Sequence, residues 1–305
     1  MAYATFAELA RAAAEHGSLG QAALLREAEE TGHPPAALLA RMGQELAVME
    51  ASVASGLVDS ERSRSGLTGG DAARVSSGPA ILGEAFRDAL GDAIAVGETN
   101  ARMGRIVAAP TAGASGVVPA TLLALARVSG ASHDDLVQAL FAAAGVGAVI
   151  AARATLSGAA GGCQAEIGAA AAMAAAAGAE LCGAAPEICG HAGALALQGQ
   201  LGLVCDPVGG LVELPCVVRN ATGTAVALAA VEMALAGVRF PIPFDEVVVA
   251  MGQIGRSLPP SLRETAVGGL AATPTGRELG QRALRPAVPL GGRAAASASR
   301  TGELG

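Results

Sequence analysis

Residues 165–183 read AEIGAAAAMAAAAGAELCG, and this alanine-rich stretch largely decides the fold. Alanine has the highest intrinsic helix propensity, and a helix that is apolar on all sides belongs in a protein interior. The sequence therefore predicts a buried helix that packs against its neighbours through small side chains. The longest apolar runs, residues 139–152 and 167–179, are shorter than the roughly 20 residues that a membrane-spanning helix needs.

Helix signals continue on both sides of this segment. TFAE at 5–8 and SLGQ at 18–21 have capping-box spacing, and Ser132 precedes acidic residues that suit a first helical turn. A longer helix is predicted from about Pro34 to Ser55. FDEVVVAM at 244–251 could form a strand, but its surroundings favour a helix. We predict an all-α domain over residues 1–285, followed by a disordered tail over 286–305.

The composition narrows the possible functions. The chain has 305 residues and a net charge of −7, and it is 52% hydrophobic but only 2% aromatic. An acidic balance argues against nucleic acid or an anionic membrane surface as a partner. The N-terminus predicts an amphipathic helix rather than a signal peptide. We therefore expect a cytoplasmic protein that acts on small molecules.

All 20 basic residues are arginine, and the chain contains no lysine. It therefore cannot supply a Schiff-base lysine, a P-loop lysine or a Ser-x-x-Lys dyad. Pyridoxal phosphate (PLP) anchored to this polypeptide is excluded on the same ground.

Glycine is concentrated in four loops between the predicted helices. These loops are SGLTGGDA at 65–72, APTAGASGVVPA at 109–120, LSGAAGGCQAE at 156–166 and CDPVGGLVELPC at 205–216. Tight turns and close helix packing would explain any one of them. Four such loops together favour backbone N–H groups gathered around a ligand.

The five cysteines fall into two groups. Cys182 and Cys189 lie in or near helical sequence beside small apolar residues, which is typical of buried core thiols. Cys163, Cys205 and Cys216 lie in loops next to glycine or proline. No Cys-x-x-Cys is present, so the spacing by itself is only weak evidence for a metal site and leaves a core role open.

Five motifs together resemble the alpha chain of the iron–sulfur-dependent L-serine dehydratases. They are CDPVGGLVELPCVVRNA at 205–221, SGAAGGCQAEIG at 157–168, APTAGASGVVPA, SGLTGGDA, and RETAVGGLAATPTGREL at 263–279. The resemblance implies an all-α catalytic domain that deaminates L-serine to pyruvate and ammonia without PLP. It also implies a [4Fe–4S] cluster held by Cys163, Cys205 and Cys216, which would leave one iron open as a Lewis acid.

Several residues are candidates for binding the substrate. Thr111 and Ser115, with the backbone N–H groups of TAGASG, precede a helix predicted from near Pro119 and could hold a carboxylate. Arg219 could clamp that carboxylate or offset cluster charge. Asn100 could bind substrate or simply end a helix. A second set of candidates lies in SGLTGGD: Ser65, Thr68, Gly69 and Gly70.

The general base is not evident in this chain. His16 and His33 are predicted at exposed helix ends, His133 in a first helical turn, and His191 at a helix start or in the core. In the family that the chain resembles, this function involves a beta chain or domain with a Ser-Ser-His-Thr motif, which is absent here. We expect a beta partner and an oligomer. A lyase for cysteine or threonine, and a helical scaffold that binds zinc or no metal, remain the alternatives.

Overall fold

The structure is a computed structural model that describes residues 3–285, and within that range it is helical. The helices are α1 Phe6–His16, α2 Leu19–Thr31, α3 Pro35–Val58, α4 Asp71–Ser76, α5 Glu84–Ala101, α6 Val117–Ser129, α7 His133–Arg153, α8 Gly158–Gly161, α9 Ile167–Leu181, α10 Pro186–Gln198, α11 Cys216–Leu235, α12 Phe244–Ser257 and α13 Pro274–Ala283. Within residues 3–285, β-type backbone pairing is limited to one isolated parallel bridge, between Cys205 and Arg263. The all-α prediction is confirmed, and the predicted tail lies outside the described residues.

Helix α9 forms the centre of the molecule. Every residue from Ile167 to Ala179 is buried, and α6, α7, α10 and α11 pack around this helix. Because most of its side chains are single methyl groups, four neighbouring helices can approach its axis closely. The predicted buried helix is confirmed, and its start places the preceding loop, residues 156–166, against the core.

The predicted helix starts are also observed. Thr5 and Ser18 accept hydrogen bonds from the N–H groups of Glu8 and Gln21, and Ser132 forms a reciprocal capping box with Asp135. The long helix predicted from about Pro34 to Ser55 is α3, and FDEVVVAM lies in α12. Helix α6 begins at Val117, two residues before Pro119, and a short 3₁₀ turn at Ala112–Ala114 precedes it.

Two helical segments are long and apolar enough to span a membrane by length and composition. They are Ala112–Ser129 and His133–Arg153, and 67% of each lies buried inside the protein. Their apolar side chains therefore face other helices of the same chain, which is typical of core helices.

Helix α2 is anchored to the end of α9 by one carboxylate. Glu180 accepts hydrogen bonds from the N–H groups of Leu19 and Gly20, the latter at 2.9 Å. These N–H groups belong to the first turn of α2, where the helix itself provides no acceptor. Burial raises the pKa of Glu180 despite the two hydrogen bonds.

The packing around α9 predicts opposite effects for two Gly→Ala substitutions. A Cβ at Gly223 would lie 2.9 Å from Ile167 Cγ2 and 3.0 Å from Val117 Cγ2, and these β-branched side chains have little rotamer freedom. Gly223→Ala should lower the free energy of unfolding by about 1–3 kcal/mol. The matched control is Gly43→Ala in α3, where the nearest atom is 3.8 Å away. It should raise stability by about 0.5–1 kcal/mol. Urea unfolding measures both, and a Gly223→Ala protein as stable as the control would refute close packing here.

The raised pKa of Glu180 predicts how stability depends on pH. The folded state holds this proton more tightly than the unfolded chain, so folded stability falls as pH rises from about 4 towards the raised pKa. Relative to Glu180→Gln, the wild-type protein should therefore lose stability across this window in urea unfolding at a series of pH values. If the wild-type protein instead gains stability relative to Glu180→Gln as pH rises, the fold stabilises the charged form of the carboxylate.

Candidate functional site

Three loop cysteines lie near one another at the N-terminal end of α11. Cys216 is the first residue of that helix, Cys163 begins the 3₁₀ turn Cys163–Ala165, and Cys205 lies in the extended bridge. Backbone hydrogen bonds hold the segments together: Gln164 N donates to Leu203 O at 2.9 Å, and Cys205 N donates to Leu262 O at 2.9 Å. All three thiols are free of disulfides, and those of Cys163 and Cys205 are within hydrogen-bonding reach of each other.

The three thiols differ in their electrostatic surroundings. A hydrogen bond from Cys205 holds the pKa of Cys163 below its usual value, and the charge of Arg219 acts in the same direction. The same hydrogen bond, together with burial, raises the pKa of Cys205. Burial raises the pKa of Cys216 to about 12. Cys163 is therefore the thiol in this group that most readily carries a negative charge.

Arg219 is held beside the thiols by a buried carboxylate. Its Nη2 lies 2.8 Å from Asp206 Oδ1, and its Nη1 donates to Val204 O at 3.0 Å. Asp206 Oδ2 accepts from Leu270 N at 2.7 Å. Of the two roles predicted for Arg219, this geometry favours the offset of negative charge at the thiols, because the guanidinium already binds groups of the protein.

Glu166 places a carboxylate beside the Cys205 thiol. Its Oε2 lies 3.8 Å from Cys205 Sγ, and burial raises its pKa. The buried Thr111 hydroxyl lies beside Glu166 but makes no well-aligned hydrogen bond within the described chain, so it can bind a ligand. A Cβ at Gly158 would lie 2.3 Å from Glu166 Oε2 and 3.1 Å from Cys205 Sγ. Only glycine at 158 leaves room for both groups.

The TAGASG loop is fixed to α11 by Asn220. Asn220 Oδ1 accepts from Gly116 N at 2.8 Å, and its Nδ2 donates to Gly113 O and to Cys216 O, both at 2.9 Å. Ser115 is fully buried and donates to Ala112 O at 2.8 Å, so its hydroxyl supports the loop from within. Its predicted contact with substrate stays a prediction, as does that of Thr111.

The SGLTGGD loop is held by Glu213. The hydroxyls of Ser65 and Thr68 donate to Glu213 Oε2 at 2.8 and 2.9 Å, so both are already bound within the protein. Gly69 has a φ of +139° and a Cβ there would lie 2.5 Å from Glu61 O, while Gly70 precedes α4 with a φ of +79°. These two glycines shape the turn, and a role in substrate binding for the four loop residues stays a prediction.

The remaining polar candidates are spread over several elements of the fold. Asn100 is next to the last residue of α5, and its Nδ2 is 3.5 Å from Ala112 O, which places it against the TAGASG loop. His16 and His33 are exposed, as expected, and His133 is exposed in the first turn of α7. His191 lies in the interior of α10 and is half-buried, so it is not a helix-start residue. Of the predicted core cysteines, Cys189 is fully buried and Cys182 is half-buried at the end of α9.

Four acidic and amide residues of the site were missed by the sequence analysis. They are Glu166, Asp206, Glu213 and Asn220. All four lie in motifs that were singled out for their glycines and cysteines, within four residues of a loop cysteine. Their closeness in sequence to those cysteines was the available signal.

The fold and the site define a class of protein. Inside an all-α domain, loop segments place the buried Cys163 and Cys205 and the half-buried Cys216 near the start of one helix, with Arg219 and Glu166 beside them. The family model for the serine dehydratase alpha chain matches residues 15–271. This chain belongs to that family.

Individual relatives agree with this assignment. The chain is 47% identical over 280 residues to the probable L-serine dehydratase alpha chain of Bacillus subtilis, covering 90% of this chain and 92% of the relative. It is 42% identical to the L-serine dehydratase alpha chain of Peptoniphilus asaccharolyticus, covering 76% and 81%. The L-serine dehydratase of Streptomyces coelicolor is 40% identical over 59% of this chain, but the match covers only 40% of that longer protein.

The Arg219–Asp206 pair predicts a cost for removing its buried partner. Asp206→Asn keeps an acceptor for Leu270 N but removes the carboxylate charge that pairs with the guanidinium of Arg219. The free energy of unfolding should fall by about 3–5 kcal/mol. The control Asp88→Asn breaks the more exposed pair with Arg87 and should cost no more than about 1 kcal/mol in the same denaturation assay. Equal, small effects would show that Asp206 does not stabilise Arg219.

Proposed function

We propose that this chain is the alpha chain of an L-serine ammonia-lyase, in which Cys163, Cys205 and Cys216 hold a [4Fe–4S] cluster. The observation that carries the proposal is the convergence of three loop thiols in a chain of the serine dehydratase family. The relatives are named for L-serine, which supports serine as the substrate. The reaction converts L-serine to pyruvate and ammonia by loss of water and hydrolysis of the resulting imine.

The residues present fit an iron–sulfur cluster. Thiolates are the soft ligands that such clusters use, and Arg219 supplies a positive charge beside Cys163. Within residues 3–285, no three His, Cys, Asp or Glu side chains are grouped to hold a single metal ion. In a four-iron cube each thiolate binds an iron of its own, so the three cysteines need not share a single ion. When bound, it would supply a Lewis-acidic iron that polarises the serine hydroxyl.

The chain's own residues would bind and orient the substrate. The Thr111 hydroxyl is buried beside Glu166 and makes no well-aligned hydrogen bond within residues 3–285, so it can donate to the substrate carboxylate. The loop N–H groups between Thr111 and Gly116 lead into α6, where the partial positive charge of the helix N-terminus favours an anion.

A beta partner would complete the enzyme. Relatives of similar length are named alpha chains, and the Streptomyces protein carries a long additional region in one polypeptide. The exposed positions of His16, His33 and His133 support a general base outside this chain. We also keep the oligomeric assembly and the cytoplasmic location as predictions.

The proposal is tested by anaerobic purification of the chain with its beta partner. About four irons and matching sulfide per alpha chain are expected, with a brown colour. Cys163→Ala, Cys205→Ala and Cys216→Ala should each lose the colour and ammonia release from serine. Cys182→Ala is the control and should retain both.

Three results would contradict the proposal or redirect it. A colourless anaerobic preparation with stoichiometric zinc would favour a scaffold. Faster ammonia release from threonine or cysteine than from serine would change the substrate. Full turnover by the chain alone would refute the requirement for a beta partner.

A further inference from the structure

Cys216 is flanked by two buried polar side chains that bind different glycine-rich loops. Glu213 lies three residues before it, and Asn220 lies four residues after it on α11. Glu213 is 7% exposed and Asn220 is 1% exposed. The Cys216 turn is therefore the structural connection between the SGLTGGD loop and the TAGASG loop.

A single carboxylate oxygen of Glu213 accepts hydrogen bonds from three hydroxyl groups. Ser63, Ser65 and Thr68 donate to Oε2 at 2.5, 2.8 and 2.9 Å. Hydrogen bonds to an ionised acceptor are stronger than neutral ones, and a buried carboxylate is costly without them. Because Ser63 N also donates to Thr68 O at 2.9 Å, the carboxylate closes this loop into one conformation.

The same residue helps to start the helix that carries Cys216. The carbonyl oxygen of Glu213 accepts a hydrogen bond from Val217 N at 2.8 Å, and the turn that this bond closes contains Cys216. A displacement of the SGLTGGD loop would therefore move the Glu213 backbone and, with it, the first turn of α11. The side chain and main chain of one residue connect the loop to the thiol.

Asn220 makes the equivalent connection on the other side. One amide binds the loop at Gly113 and Gly116 and also binds the carbonyl oxygen of Cys216. With three hydrogen bonds in a fully buried position, its orientation is fixed. The loop beside Thr111 and Glu166 is thereby held in register with Cys216.

We propose that Glu213 and Asn220 are positioning residues that couple substrate binding in the two loops to metal retention at Cys216. The inference rests on the proposed function. Coupling between two sites is reciprocal, so a substrate that binds the loops best in the arrangement that holds metal at Cys216 must also stabilise whatever Cys216 binds. Serine should therefore slow the loss of iron from the loaded enzyme, and Glu213 and Asn220 should be required for that effect.

The experiment measures iron release to a chelator under anaerobic conditions from the alpha–beta holoenzyme, with and without saturating L-serine. In the wild type, serine should slow release by about 5-fold or more, the lower end of typical allosteric coupling. In Glu213→Gln and in Asn220→Ala, the serine effect should fall below about 2-fold. Both variants should also show a higher KM for serine, with a smaller change in kcat.

Three further variants separate coupling from a general loss of stability. Ser63→Ala removes one donor from Glu213 at the loop side and should reduce the serine effect in the same direction. The double variant Ser63→Ala with Glu213→Gln should be no worse than Glu213→Gln alone, because both changes act on one contact. Glu232→Gln, at an exposed position of the same helix, should retain the wild-type response.

The outcomes distinguish this inference from the proposed function. A wild-type holoenzyme without iron would refute the cluster itself, before any variant is made. A normal serine effect in Glu213→Gln, or in Ser63→Ala if the former does not fold, would overturn the coupling while leaving the enzyme assignment intact.

Discussion

The close packing of α9 is the constraint on which the rest of the structure depends. Its residues from Ile167 to Ala179 are buried, and methyl side chains let four helices approach it. A larger side chain on any face would push a neighbouring helix outward. Because α9 begins immediately after Glu166, this packing also determines where Cys163 and Glu166 lie relative to α11.

The site carries buried charge, and the structure compensates for it locally. Arg219 lies between Asp206 and the thiol of Cys163, while Glu166 lies beside Cys205. A buried charge without a partner would cost several kcal/mol. The arrangement of one cation between a carboxylate and a thiol explains how acidic groups and thiols can share a largely water-excluded space.

The glycines of the four loops serve mainly to bring backbone segments close together. Gly158 leaves room for Glu166 and Cys205, and Gly162 has a φ of +77° with Leu203 O 2.9 Å from its Cβ position. Gly209 and Gly280 approach each other in the same way, since a Cβ at Gly209 would lie 3.2 Å from the Cα of Gly280. Close backbone approach and ligand binding are compatible explanations for the glycine content of these loops. Loop segments that approach closely need glycine, and their approach also brings the candidate site residues together.

The sequence by itself determined the all-α fold, the helix starts and the set of loop cysteines. Alanine content, capping residues and breaker-rich spacing are local properties, so they can be read without the tertiary structure. Only the tertiary structure decided which groups these loops bring together. Glu213 meets Ser63 from 150 residues away and Asn220 meets Gly113 from 107 residues away, and no local pattern encodes such contacts. For Ser65 and Thr68, which were predicted as substrate-binding residues, only the tertiary structure shows that both hydroxyls donate to Glu213, as a buried carboxylate requires.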